Sequence, residues 1–276
     1  MGKKWDSSGI AFNATLWSEM YRVLTPGAYL MAFGGTRTFH RMACAIEDAG
    51  FEIRDCLMWL YSTGFPKSHA CLKPAYEPII LARKPGKTVL PLNIDECRVG
   101  DSGGTRHDPD TPHLDSQNKI YRPGLNYAKF GDTGEGLGRW PANTILNEGF
   151  EGEPWSRYFY CAKASRKERD AGLDAFEPKA RKTMSSGIGG QPDQERANNR
   201  NIHPTVKPLS LTEHLAKLIL PSASTESPRR LLVPFSGSGS EMIGGLRAGW
   251  DEVTGVELSE EYAAIAEARI SFSLTQ

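Results

Sequence analysis

The stretch that decides the fold lies near the end of the chain and reads Leu231-Leu232-Val233-Pro234-Phe235-Ser236-Gly237-Ser238-Gly239-Ser240. A short apolar run that breaks into a glycine-rich turn and reopens as a helix is typical of a strand–turn–helix unit. Gly237 and Gly239 allow the backbone to approach a ligand at a distance where a Cβ would collide. The first N–H groups of the following helix have no helical partner and face the turn. The stretch therefore predicts a binding turn at the end of a strand.

A second apolar run, residues 253–256, ends in Glu257. In an open α/β sheet, ligands bind at the carboxyl ends of the strands, where an acid can accept hydrogen bonds from a ribose. A dinucleotide site requires Gly-x-Gly-x-x-Gly, but the third position here is Met242, and Glu241 would repel a pyrophosphate. S-adenosylmethionine has a ribose, no phosphate and a positive sulfonium, so the pattern favours this cofactor over NAD. A purely structural glycine turn is the alternative.

Three motifs occur in order in this part of the chain: His203-Pro204-Thr205-Val206-Lys207-Pro208, then Phe235-Ser236-Gly237-Ser238-Gly239-Ser240, then Gly255-Val256-Glu257. Together they resemble the motifs of the β-class DNA amino-methyltransferases, which methylate N6 of adenine or N4 of cytosine. The resemblance implies a Rossmann-like methyltransferase fold, S-adenosylmethionine as cofactor and double-stranded DNA as partner. Where that family usually has Asp two residues before the Phe, this chain has Val233, which leaves the binding of the methionine moiety open. The cofactor-binding residues that the resemblance implies are His203, Pro204, Thr205, Val206, Lys207, Phe235, Ser236, Gly237, Ser238, Gly239 and Glu257.

Apolar patterns along the rest of the chain alternate between helical and strand periodicity. A helical pattern around Trp17 is followed by strand patterns at 28–33, 51–60 and 78–82, with a second helix after the first strand. This alternation predicts an α/β fold with a mostly parallel sheet and helices on both faces. Gly, Pro, Asn and Asp then become dense. We divide the chain into the first part of a methyltransferase domain (1–84), a target-recognition insertion (85–200) and a cofactor-binding part (201–276).

Composition limits the classes of function. Lys plus Arg equal Asp plus Glu at 33 each, so no global charge attracts the chain to nucleic acid and any basic DNA contact is local. The five cysteines have no metal-ligand spacing, which predicts reduced thiols and no metal site. No apolar run is long enough to span a membrane and no secretory signal is present. We therefore expect a cytoplasmic protein of prokaryotic or phage type with no membrane partner; the sequence carries no signal of oligomeric state.

Two segments combine aromatic and basic residues. In the resembled family, a loop at the position of Tyr61, Phe65 and Lys67 borders the pocket for the target base. An aromatic ring there could stack on an extruded base and a lysine could contact its phosphate. The alternatives are that the aromatic rings fill the edge of the core, and that the basic residues of the insertion form a solvated charged face. The candidate DNA-binding residues are Tyr61, Phe65, Lys67, Lys163, Arg166 and Lys167.

The resembled family activates the exocyclic amine, whose lone pair is drawn into the ring, with a short Asp-Pro-Pro-Tyr or Ser-Pro-Pro-Tyr motif. The sequence contains no Pro-Pro dipeptide, and the family order would place the motif upstream of Met1. We therefore assign no catalytic residue and expect an N-terminally shortened, catalytically poor chain of a site-specific DNA methyltransferase of restriction–modification type. A paralogue that binds S-adenosylmethionine or DNA without methyl transfer is the alternative, and an NAD-dependent oxidoreductase is the third.

Overall fold

The computed structural model describes residues 8–62, 64, 66, 69–87, 90–100, 138–147, 158–180, 198–223 and 227–276. Within them, the six α-helices are α1 (Ala14–Val23), α2 (Phe39–Asp48), α3 (Arg166–Asp170), α4 (Leu209–Leu218), α5 (Ser240–Ala248) and α6 (Glu260–Leu274). Ile10–Phe12 and Asp95–Cys97 form short 3₁₀ helices. The strands are β1 (Tyr29–Phe33), β2 (Glu52–Leu60), β3 (Tyr76–Arg83), β4 (Thr144–Leu146), β5 (Phe159–Tyr160), β6 (Lys179–Ala180), β7 (Asn198–Asn199), β8 (Arg230–Val233) and β9 (Glu252–Gly255).

The main sheet has five strands in the order β1-β3-β2-β4-β5. The α/β class is confirmed, but the sheet is mixed, because β3 runs antiparallel to both β1 and β2 while β4 and β5 join in parallel. No described helix separates β2 from β3, and strands joined without a crossover pair antiparallel. The strands of the proposed insertion, β4 and β5, extend this sheet; the division of the chain into domains stays a prediction.

Helices cover both faces of the main sheet, as the alternating pattern predicts. Along β3, Ile79 and Leu81 face one way and Ile80 and Ala82 the other, as the period of two in a strand requires. The first pair packs with apolar residues of α4, among them Leu211, Leu215 and Leu218. The second pair packs with residues of α1 and α2, among them Trp17, Met42, Ala45 and Ile46.

β8 and β9 form a separate parallel pair with Val233 opposite Gly255. In the part of the chain that the structure describes, no strand joins β8 to β1, so the connection is made by α4. The other side of α4 packs closely on α5, since Thr212 Oγ1 donates to the carbonyl of Ser240 at 3.0 Å and a Cβ on Gly244 would lie 2.5 Å from Thr212 Oγ1. Among the described residues, no helix has the length and apolar character to cross a membrane.

Candidate functional site

The glycine turn, residues 234–239, connects β8 to α5 as the sequence predicts. Gly237 has φ 53° and Gly239 has φ 78°, left-handed values that residues with a Cβ rarely adopt. A Cβ on Gly239 would lie 3.1 Å from the Cβ of Ala266 in α6. The turn is therefore packed closely against α6, and α5 begins directly after the turn at Ser240.

Glu257 lies against this turn. Its Oε2 accepts a hydrogen bond from the N–H of Gly237 at 2.8 Å, and its Oε1 accepts one from the N–H of Ser259 at 2.9 Å. The structure thus brings the acid and the glycine turn together at the carboxyl ends of β8 and β9. Each carboxylate oxygen has a second lone pair, so the pair of backbone contacts leaves capacity for the hydroxyl groups of a ligand.

His203 also lies against the turn. A Cβ on Gly237 would lie 2.7 Å from His203 Nε2, and the imidazole packs edge-on against Tyr262 with ring centres 4.7 Å apart. Burial lowers the pKa of His203 to about 4, although the nearby Glu257 opposes that shift. The ring is therefore neutral at pH 7. Because the N–H of Thr205 donates to Nδ1 at 3.4 Å, the proton of the neutral ring lies on Nε2.

Lys207, at the other end of the same segment, reaches the main sheet. Its ammonium forms an ion pair with Glu77 in β3 and lies 4.5 Å from the centre of the Phe33 ring at the end of β1. A cation over an aromatic face and beside a carboxylate is stabilised by both. Lys207, which the family resemblance assigns to cofactor binding, thus connects residues 201–209 to the main sheet. Pro204 and Val206 in the same segment are half-buried, and Thr205 is exposed.

Arg269 supports the turn from α6, a contact that the sequence analysis missed. Its Nη1 donates to the carbonyl of Ser238 at 2.6 Å and contacts the hydroxyls of Ser238 and Ser240 at 3.1 Å. The residue is 2% exposed, and burial lowers its pKa to about 10, which leaves it charged at neutral pH. Within the described residues its Nε and Nη2 have no hydrogen-bond partner. An arginine on the apolar face of a helix, four residues after Ile265, was the available signal.

The rim of the turn is apolar. Phe235 in the turn is 61% exposed, and Leu258, directly after Glu257, is 96% exposed. Val256, directly before Glu257, is exposed as well. Glu241 stands in the first turn of α5, where burial raises its pKa while a backbone hydrogen bond, Lys207 and Arg269 partly offset the shift. Exposed apolar side chains around a paired carboxylate form a surface that can cover a flat, partly polar ligand.

The candidate DNA-binding residues have different environments. Tyr61 is only 7% exposed, with its ring against Trp59 and the ammonium of Lys163 4.0 Å from its centre, which fits the core alternative. Arg166 and Lys167 lie on the exposed side of α3, and Lys163 is exposed as well. Helix α3 begins after Ser165, whose Oγ accepts a hydrogen bond from the N–H of Glu168. Phe65 and Lys67 lie outside the described residues.

The chain is similar to proteins that modify DNA. A family model described as DNA methylase matches residues 3–268. The type II methyltransferase M.HindIII of Haemophilus influenzae is 29% identical over 110 residues, a match covering 30% of this chain and 36% of that relative, so only about a third of the relative's length is spanned. Similar solved structures include the M1.HpyAVI–SAM complex (TM-score 0.48, 16% identity, 93% of this chain and 81% of that one) and the cytosine-N4-specific PvuII DNA methyltransferase (TM-score 0.45, 11% identity, 98% and 74%).

Proposed function

Since the chain belongs to the DNA methylase family whose model matches residues 3–268, we propose that it binds S-adenosylmethionine and serves in methyl transfer to an exocyclic amine of double-stranded DNA. In this proposal the acceptor is N6 of adenine or N4 of cytosine, because the name of the matching family model refers to N6 and N4 methyltransferases. Such a substrate assigns the chain to the compartment that holds DNA, the cytoplasm of a prokaryotic or phage-infected cell.

The observation that carries the proposal is the contact between Glu257 and the backbone of Gly237. This contact joins the carboxyl ends of two parallel strands through an acid and a glycine turn, the position at which α/β folds bind nucleosides. In our proposal the remaining lone pairs of Glu257 accept the ribose hydroxyls, and the backbone of residues 236–239 lies against the cofactor.

The electrical character of the site fits a cationic nucleoside better than a phosphorylated one. Glu257 supplies a carboxylate at the turn, and the neutral ring of His203 adds no positive charge beside it. The carboxylate of Glu257 would repel a pyrophosphate and attract a sulfonium. The apolar side chains of Phe235 and Leu258 offer faces against which an adenine ring can pack. When bound, the cofactor supplies an electrophilic methyl group.

On the DNA side, we propose that the exposed ammonium and guanidinium groups of Lys163, Arg166 and Lys167 contact backbone phosphates. Such contacts position the duplex without reading its sequence. A base within a duplex is inaccessible to an enzyme of this class until it leaves the stack. The buried Tyr61, whose ring Lys163 covers, is not assigned a stacking role.

A calorimetric titration tests the proposal directly. The chain should bind S-adenosylmethionine saturably with one site per chain and should bind NADH and ATP far more weakly. A methyl-transfer assay on double-stranded DNA with isotopically labelled cofactor then examines the reaction and identifies the acceptor base by mass spectrometry. Equal affinity for NADH, or no saturable binding of S-adenosylmethionine, would overturn the assignment.

A further inference from the structure

Helix α3 belongs by sequence to the recognition insertion, yet its side chains hold the start of the segment that covers the glycine turn. Asp170 Oδ1 accepts from the N–H of Asn201 at 2.9 Å, and the carbonyl of Arg169 accepts from Asn201 Nδ2 at 3.0 Å. The guanidinium of Arg169 donates to the carbonyl of His203 at 3.3 Å. Asn201 is almost fully buried and links α3 to His203, because its Oδ1 accepts a hydrogen bond from the N–H of His203 at 3.1 Å.

The same helix also holds the other end of the segment. Glu168 Oε1 accepts from the N–H of Leu209 at 2.6 Å. Leu209 is the first residue of α4, where the N–H has no helical partner and a negative charge is favourable. The preceding residue is Pro208, whose side chain has no acceptor to cap the helix. Glu168 therefore supplies the N-terminal cap of α4 from a distant part of the chain.

These contacts determine where His203 lies. The segment 201–209 is attached to α3 at both ends, and between those ends the imidazole of His203 meets Gly237 and Tyr262. If either attachment is lost, the segment gains freedom and the imidazole is no longer held over the turn. The position of His203 beside the glycine turn thus depends on residues of the insertion.

We propose that Glu168 and Asp170 are positioning residues for the cofactor site, acting through segment 201–209 rather than through contact with the cofactor. This proposal rests on the proposed function. It assigns to α3 two sides with two tasks, an exposed side with Arg166 and Lys167 toward DNA and an inner side that shapes the cofactor site. Cofactor affinity is then sensitive to substitutions in a part of the chain that touches no cofactor.

The test compares alanine variants with conservative ones in the full chain. Glu168→Ala and Asp170→Ala remove the acceptors, and we expect about tenfold weaker binding of S-adenosylmethionine by calorimetry. Amide hydrogen exchange in peptides covering 201–209, measured without ligand, should be faster. Glu168→Gln and Asp170→Asn keep an accepting oxygen and should stay within about twofold of wild type. The exposed Glu177→Ala and Asp174→Ala, in the same insertion, are the matched controls and should change neither measurement.

Leu209→Pro provides an independent variant should an alanine variant fail to fold. It removes the backbone N–H that donates to Glu168 Oε1, at a first helical position where proline is tolerated. The variant should bind the cofactor more weakly while its melting remains cooperative. Faster exchange with unchanged cofactor affinity would overturn the positioning role and leave a purely structural one. An equal loss in the conservative variants would overturn it as well. Failure of the wild-type chain to bind the cofactor would instead overturn the proposed function, and it is recognised because it requires no substitution.

Discussion

The glycine turn and helix α3 both contribute polar contacts to the proposed site, the turn within a single supersecondary unit and α3 through segment 201–209. Glu257 bonds to Gly237 across 20 residues, within one strand–turn–helix–strand unit. Asp170 and Glu168 bond to residues 31 and 41 positions away, in another part of the fold. The contact of Glu257 with the turn thus lies within one supersecondary unit, whereas the contacts of α3 join two separate parts of the chain. Substitutions in the two regions should differ accordingly, the first affecting cofactor contact and the second its arrangement.

Gly237→Ala should have the largest effect. The new Cβ would lie 2.7 Å from His203 Nε2 at a residue with φ 53°, so both a clash and backbone strain arise at the turn itself. We expect at least about a hundredfold weaker binding of S-adenosylmethionine, which corresponds to about 2.7 kcal/mol. Calorimetry measures the affinity, and thermal melting shows whether the variant is folded.

Gly9→Ala is the matched control for this substitution. Gly9 has φ 68° but would meet no atom within 4 Å of an added Cβ, so only the backbone strain of about 1–2 kcal/mol is introduced. Cofactor affinity should be unchanged in the control. Equal affinity of Gly237→Ala and Gly9→Ala would remove the turn from the binding site.

The second prediction concerns pH. Burial lowers the pKa of both His203 and His214 to about 4, against about 6.5 in the unfolded chain. Between these values the unfolded chain takes up protons that the folded chain excludes, so their contribution to stability is complete above pH 6.5 and is lost as the pH falls toward 4. From pH 7 to pH 5 each histidine should lower the free energy of unfolding by about 2 kcal/mol.

Urea unfolding at pH 7 and pH 5 measures this loss. In His214→Phe, the stacking on Phe159, now 3.9 Å between ring centres, can be retained while the titrating group is removed. The variant should lose the share of the pH dependence due to His214, about 2 kcal/mol between pH 7 and pH 5, and keep the share due to His203. A variant with the full wild-type pH dependence would contradict the assignment of the titration to these two rings.

Glu257→Gln should have a smaller effect on cofactor affinity than the glycine substitution. The amide oxygen can accept from only one of the two backbone N–H groups that the carboxylate now serves, and the negative charge is lost. We expect about tenfold weaker binding of S-adenosylmethionine, or about 1.4 kcal/mol. Glu267→Gln, at an exposed position on α6, is the control and should bind as wild type. Unchanged affinity in Glu257→Gln would exclude Glu257 from contact with the ribose.

Substitutions on the exposed side of α3 should have the smallest effect and should spare the cofactor. Lys167→Gln removes one proposed phosphate contact, which should weaken duplex binding a few-fold and reduce the salt dependence of log Kd by about 1. Fluorescence anisotropy with a labelled duplex at several salt concentrations measures both. Arg247→Gln, exposed at the end of α5, is the charge-matched control. A loss of cofactor affinity in Lys167→Gln, or an equal loss of duplex binding in the control, would contradict the division of α3 into two sides.

What could be predicted from the sequence follows the same contrast. The glycine turn, Glu257 and the helix after the turn are encoded by neighbouring residues, and the structure brings Gly237 and Glu257 together as that pattern requires. The strands around 28–33 and 51–60 likewise follow from local apolar periodicity. The antiparallel direction of β3 does not, because strand direction depends on how the chain connects β2 to β3 rather than on the residues of β3.

The supporting groups could not be predicted because their roles depend on tertiary contacts. Periodicity places Arg269 on the apolar face of α6 but does not say that Ser238 and Ser240 lie opposite it. The sequence around Tyr61 is compatible both with a ring that stacks on a base and with a ring that fills the core. Only the contacts of the ring with Trp59 and Lys163 favour the core. Buried polar contacts between distant segments are the part of the site that requires a structure.

A crystal structure of the chain with S-adenosylhomocysteine bound tests the central claim most directly. We predict that both ribose hydroxyls lie within hydrogen-bonding distance of the Glu257 carboxylate, with the backbone of residues 236–239 against the nucleoside and His203 on its outer side. A nucleoside bound elsewhere, or one whose ribose is directed away from Glu257, would contradict it.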